Sequence, residues 1–232
     1  MITTDQFYKI AGVTQHSQFQ KFLEDIVFDK AKRKQFYQSC IDIDPQCVED
    51  DTFRRYFEEY AAERKSNQQD FTPTALCNLM AQLTDDGHNV CNSGWTAIDP
   101  AAGTGSMLLA KWKAERNKHL PWEYYPHNYL YLAQELSDVA IPYLIHNLAI
   151  RGMNAIVIHG NTLERTAKQI YFIQNVKDDP MFFSNINVLP HTDDVMHEFD
   201  ITEWMEEPIN HVEDKLSDLD GVIGNIVKEM KT

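Results

Sequence analysis

The stretch Asp99-Pro100-Ala101-Ala102-Gly103-Thr104-Gly105-Ser106 sets a carboxylate and two glycines where an apolar run gives way to a helical pattern. Glycine at 103 and 105 permits positive φ and lets a ligand approach the backbone closely. Asp99, at the end of the apolar run, can hold a cationic amine. Leu108 takes the place of the third glycine of a dinucleotide fingerprint, and no lysine follows at P-loop spacing, which lowers the NAD and ATP readings. Glu135 ends a second apolar run, where a carboxylate can accept both hydroxyls of a ribose. It lies 30 residues after Gly105, and the excess over the usual spacing of about 20 fits an insertion around His119–His127. Gly160-Asn161 ends a third run, where a polar side chain can meet the exocyclic amine of an adenine. Turn chemistry alone would also account for Gly-Asn.

These residues need strands that end side by side. From Phe71 onward the pattern alternates helix and strand. Thr72-Pro73 reads as an N-cap with proline at the first helical position, opening a helix with Leu76, Leu79, Met80 and Leu83 on one side. Strands are expected at Trp95–Asp99, Tyr129–Gln134 and Ala155–His159. Helices are expected from Ser106 to Lys118 and, capped by Ser137, on to Gly152. Alternation of this length predicts an α/β fold with a parallel, doubly wound sheet. The first 66 residues instead read as helices, with apolar stripes at Phe19, Phe22, Leu23, Ile26, Val27 and at Phe53, Tyr56, Phe57, Tyr60, Ala61. The polar stretch Glu63–Asp70 looks like a connection, dividing the chain into a helical region, 1–66, and a second domain, 67–232. After Leu163 the pieces Ile170–Ile173, Met181–Phe183 and Ile186–Leu189 are candidate strands without a deducible order. Val212, Leu216, Leu219, Ile223, Ile226 and Met230 form a helical seam over 211–230, for packing on the chain's own core or on a second copy or another subunit.

Charge narrows the choice of partners. The 232 residues carry a formal charge of −14, and from Asp193 onward 12 acids face 3 lysines. Unaided DNA binding draws on a basic face, so contact with DNA is expected through a partner subunit. Four scattered cysteines (Cys40, Cys47, Cys77, Cys91) without paired spacing suit free thiols in a reducing cytoplasm, and neither a secretion signal nor a membrane span is evident. The histidines are too dispersed to suggest a metal site, and no G-x-S-x-G nucleophile turn occurs.

In order and company, DFTP (Asp70–Pro73), DPAAGTGS (Asp99–Ser106), the Glu135 strand end and HNLAIRGMNAIVIHGNTL (His146–Leu163) resemble the N6-adenine DNA methyltransferases, above all the modification subunit of type I restriction systems. The resemblance spans roughly residues 50–165. It implies a Rossmann-like fold that binds S-adenosylmethionine (SAM), with a restriction–modification or phage setting. Phe71, Thr72 and Pro73 would line the cofactor; Asp99, Ala101, Gly103 and Gly105 would hold its amino-acid end; Glu135 would take the ribose and Asn161 the adenine. Ala102 stands where cysteine is common, and Asn161 where aspartate is, so weaker SAM binding is expected.

That family's chemistry also requires a [DNS]-P-P-[YFW] sequence after strand four, to accept hydrogen bonds from the target amine and stack on the flipped base. None follows Asn161. The nearest mimic is Asp179-Pro180-Met181-Phe182, which gives Asp179, Pro180 and Phe182 as catalytic candidates. The C-terminal part of the fold is therefore expected to be shortened or remodelled. Three readings follow: a minimal methyltransferase using these residues or a partner's, an inactive relative acting through protein contacts, or an anti-restriction DNA mimic using the acidic tail.

Overall fold

A computed structural model describes residues 2–61, 72–84 and 95–213. Phe71, Cys91, the Glu63–Asp70 connection and the seam beyond residue 213 lie outside the described residues.

Helices α1 (Thr4–Ala11), α2 (His16–Val27) and α3 (Lys30–Ile43) open the chain. A short helix α4 (Arg54–Tyr56) follows, running into a π-turn at Phe57–Ala61. Their apolar stripes converge on an aromatic cluster in which Phe7, Phe19, Phe36 and Phe53 are fully buried. Helix α5 (Thr74–Leu83) begins one residue later than the sequence suggests: the Pro73 carbonyl accepts the first helical N–H groups, and no side chain caps the helix.

Strands β1 (Ala97–Asp99), β2 (Tyr131–Glu135) and β3 (Ala155–Asn161) are parallel neighbours, joined by α6 (Ser106–Arg116) and α7 (Ala140–Ile150). Their register brings Asp99, Glu135 and Asn161 to one edge of the sheet. Every residue of α7 is buried, because the sheet lies on one side of it and α2 and α3 on the other. Across that second contact His146 receives the Tyr37 hydroxyl on Nδ1 (2.7 Å) and meets the Leu23 carbonyl with Nε2 (2.9 Å). Burial holds its pKa down to about 3, so it is a neutral, satisfied core histidine.

The sheet then departs from the doubly wound expectation. β4 (Thr166–Gln174) folds back antiparallel on β3, β5 (Asn185–Val188) is antiparallel to β4, and β6 (Glu203–Trp204) pairs parallel with β4. The order is β1-β2-β3-β4-β5, with β1 at an edge. In a doubly wound sheet the chain returns to the outer side of β1, creating a switch point there. Here, among the described residues, no strand lies on that side. The predicted Ile170–Ile173 and Ile186–Leu189 strands fall within or largely on β4 and β5, whereas Met181–Phe183 lies in a turn region.

One sheet face packs Tyr131, Ala133, Ala155 and Val157 against α6, α7 and the N-terminal helices in a single apolar core. The other packs Leu132, Ile156, Ile158 and Phe172 against Val195 of α8 (Asp193–Glu198), Phe199 and Ile201. Cys40, Cys47 and Cys77 are free and buried, and no helix among the described residues is long and apolar enough to cross a membrane.

Candidate cofactor-binding site

The glycine turn between β1 and α6 has the predicted backbone: φ is +56° at Gly103 and +94° at Gly105. A Cβ placed on Gly103 would meet nothing within 4 Å, so the space above it is open; one on Gly105 would press on Leu144 at 2.9 Å. Ala101, exposed in this turn, donates its N–H to Asp99 (3.2 Å). Partial burial raises the Asp99 pKa above the ordinary carboxylate value, opposed by the Ala101 hydrogen bond.

Glu135 is buried and accepts the Gly103 N–H on one oxygen and the Ser137 N–H on the other, each at 2.7 Å. It thus ties the end of β2 to the glycine turn, and each oxygen keeps a second lone pair. Asn161 is committed differently. Its Oδ1 accepts the N–H groups of Leu163 (3.0 Å) and Glu164 (3.2 Å), which leaves its amide nitrogen, not its oxygen, as the group to turn toward a ligand. A hollow of about 200 Å³ beside it is lined by Gln134, Ile158, Thr162 and Phe199.

The turn is held from below by residues the sequence did not mark. The Asp51 carboxylate accepts the hydroxyls of Thr104 and Ser106 (2.9 Å), the Asn147 amide (2.7 Å) and the Phe53 N–H (3.0 Å). Asn147 also donates to the Thr104 carbonyl (2.9 Å) and accepts from Thr52 N–H (3.1 Å). Arg151, one turn along α7, closes the network on the carbonyls of Val48 (3.0 Å), Asn147 (2.6 Å) and Asp50. Burial lowers its pKa to about 10, opposed first by Asp51, so it remains charged at neutral pH. The i, i+4 pair Asn147 and Arg151 within HNLAIRG was the available signal, since two strongly polar groups on an otherwise apolar helix need partners.

A larger cleft, about 460 Å³, runs along α6 rather than over the strand ends. Pro73 and Thr74 line it together with Asp51, Arg54, Ser106 and Lys113. Thr72, the residue before Pro73, receives the Cys77 thiol on its carbonyl (3.6 Å). Thr72 and Pro73 therefore sit at the start of α5, the helix packed on α6.

A family model for N-6 DNA methylases matches residues 50–207. The chain belongs to that family. No curated protein and no solved structure matches it. The matched span begins at the Asp51 network and includes the six strands of the described residues, so the antiparallel return is part of the family-like region.

For an N-6 DNA methylase the position of Asp179–Phe182 is unexpected. Because β4 runs opposite to β3, its Gln174 end lies at the edge of the sheet remote from Asp99 and Glu135. The turn that follows packs there: Asp179 Oδ1 accepts the Met181 N–H (2.8 Å), and the carbonyls of Asp179 and Phe182 accept the Asn175 amide (2.8 and 3.3 Å). The structure gathers Asp99, Ala101, Gly103, Gly105, Glu135 and Asn161 at one edge; it does not bring Asp179, Pro180 and Phe182 to them.

Burial of Asp99 gives a pH signature. A cationic ligand group favours the ionised carboxylate, so affinity holds above the raised free-state pKa and falls as pH drops through it. We expect the calorimetric affinity for a ligand bearing an ammonium group to begin its decline at a higher pH than an ordinary carboxylate of about 3.9 would dictate. Asp99→Asn should flatten the profile.

Proposed function

We propose that the chain is a SAM-binding component of a DNA adenine-N6 methyltransferase, dependent on a partner for DNA contact and for the residues that engage the target base. The observation that carries this reading is the convergence of Asp99, the open turn at Gly103 and Glu135 at the ends of two adjacent parallel strands, β1 and β2. The groups present suit SAM. Asp99 would pair with the ammonium of the methionine part, and the exposed backbone of Ala101, Gly103 and Gly105 would lie along it. Glu135 would accept the ribose hydroxyls through its remaining lone pairs. Asn161 would donate its amide to a ring nitrogen of adenine, with the hollow beside Ile158 and Phe199 as the apolar flank. Thr72 and Pro73 would approach from the start of α5; Phe71, which the resemblance adds to the cofactor's lining, lies outside the described residues. Bound SAM supplies an electrophilic methyl group on a sulfonium; the chain's own part is to bind and orient it.

The reading as a module inactive on its own is favoured by one feature, the seat of Asp179–Phe182 at the remote sheet edge. A restriction–modification or phage setting, and subunit contacts through 211–230, complete the proposal. The formal charge of −14 supports a partner that brings the basic surface.

Calorimetric titration with SAM tests it. Saturable binding is expected, at least 100-fold weaker in an Asp99→Ala, Glu135→Ala double variant, which corresponds to about 2.7 kcal/mol from two charge-assisted contacts. Equal binding by the double variant would move the cofactor elsewhere, and no binding by the folded wild type would overturn the proposal.

A further inference from the structure

Asn161 ends β3, and its side-chain amide carries a donor on one side and an acceptor on the other. The turn that follows fixes which is which. Leu163 and Glu164 donate their backbone N–H groups to Oδ1 at 3.0 and 3.2 Å, and of the two amide atoms only the oxygen can accept them. The turn is tied down on both sides. Thr162 donates its hydroxyl to the Pro100 carbonyl in the loop between β1 and α6 (2.9 Å), and Thr202 donates its N–H to the Arg165 carbonyl (2.8 Å). Arg165 closes the turn with a left-handed φ of +56°. Reversing the amide would set its N–H groups against two backbone N–H groups. The Asn161 nitrogen, which has no hydrogen-bond partner among the described residues, therefore keeps both hydrogens for a ligand.

The hollow of about 200 Å³ beside it lies at the ends of β2 and β3. Ile158, Phe199 and Ile201 give it apolar walls, which suit the face of a flat heterocycle. Arg165 and Asp200 also line it, both more than half exposed, and they pair at 2.9 Å, so neither presents an unopposed charge. The Gln134 amide can turn either of its atoms inward. Asn161 presents a fixed donor.

We propose that Asn161 frees this site from any need for the exocyclic amine of adenine, so that it binds 6-oxopurine nucleosides at least as well as 6-aminopurine ones. The inference rests on the proposed function and names the ligand class of the same site. The two bases differ along one edge. Adenine offers an amine donor at position 6 and an acceptor at N1. The 6-oxo base offers an acceptor at position 6 and a donor at N1, and both bases keep N3 and N7 as acceptors. A carboxylate facing that edge would attract the amine and repel the oxo group. The Asn161 nitrogen has no lone pair to offer an amine, yet it can donate to a ring nitrogen or to an oxo group. A site selects a base through a polar group that one ligand satisfies and the other leaves unpaired; Asn161 is satisfied by either.

S-adenosylhomocysteine and its 6-oxo counterpart, S-inosylhomocysteine, share the amino-acid end and the ribose that Asp99 and Glu135 would hold, and differ only in the base. In calorimetric titrations of the full chain, the 6-oxo compound is expected to bind no more than about threefold more weakly than the 6-amino compound. In Asn161→Asp one carboxylate oxygen can still accept from Leu163 and Glu164, and the other faces the ligand. The 6-oxo compound should then bind about tenfold or more weakly than the 6-amino compound, a selectivity of about 1.4 kcal/mol. The ratio of the two constants is the readout, because damage to the turn lowers both affinities together and leaves the ratio where it was. A larger wild-type loss with the 6-oxo compound overturns the inference and leaves SAM binding standing, and so does a ratio that Asn161→Asp does not move. Binding of neither compound by the folded wild type overturns the proposed function, and the inference with it.

Discussion

Arg151→Ala is expected to destabilise the chain by about 3–5 kcal/mol and to weaken SAM binding although the side chain lies beneath the turn. Arg151 is 3% exposed. Its removal withdraws the donors that satisfy the Val48 and Asp50 carbonyls and the Thr52 hydroxyl (3.2 Å), and it takes a positive charge from beside Asp51. Buried acceptors left without donors, next to an uncompensated carboxylate, are among the most costly outcomes of a single substitution. Asp51 would then hold the hydroxyls of Thr104 and Ser106 less firmly, and the Gly103 backbone would lose its fixed position. Urea unfolding followed by calorimetry with SAM reads both effects. Arg165→Ala provides the contrast: Arg165 pairs with Asp200 on the surface, both more than half exposed, and its loss should change stability by no more than about 0.5 kcal/mol. Equal effects of the two substitutions would mean that the network does not hold the turn.

Arg33→Ala should have a similar cost, about 3–5 kcal/mol, for a different reason. Arg33 and Glu213 are each 2% exposed in their side chains and meet through two bonds from one guanidinium nitrogen, at 2.6 and 2.7 Å. Arg33 also donates to the Val27 carbonyl (2.6 Å), while Glu213 accepts the Ile186 N–H (3.1 Å). Removing one partner strands the other charge in the interior. Replacing both, as Arg33→Met with Glu213→Leu, should recover much of the loss, since a buried ion pair and a well-packed apolar pair are often close in energy. A double-mutant cycle on urea midpoints measures the coupling, expected to exceed about 1 kcal/mol. Simple additivity would show that the two side chains stabilise independently.

The strand ends that form the candidate site were legible because each combines an apolar run with a turn residue or carboxylate: Asp99 before two glycines, Glu135, and Gly160-Asn161. The reversal of the sheet was not. An apolar run such as Ile170–Ile173 reads the same in either direction. The informative feature was the short link from Asn161 to Thr166, too brief for a parallel crossover, which needs a dozen or more residues. Periodicity likewise identified the apolar stripe of α5 but could not say what covers it. Asp51 was invisible for another reason: its partners Thr104, Ser106 and Asn147 lie 53, 55 and 96 residues away. No local pattern records such a pairing. Asn161 was placed correctly at a strand end, but which of its amide atoms faces outward depends on the turn it closes.

The fully buried α7 has a consequence for how this protein can change over evolutionary time. One side of it is the inner wall of the sheet, and the other is the floor on which Phe53 and Tyr37 stand; Tyr143 packs edge-on to Phe53, and His146 edge-on to Tyr37. Exchange of the first sixty or so residues for those of a relative would have to match that floor ring by ring. The helical region and the strand-bearing region therefore share one apolar core. Exchange or insertion of segments is expected to be tolerated instead where the apolar core does not cross, at surface turns such as that of Leu163, which is 94% exposed.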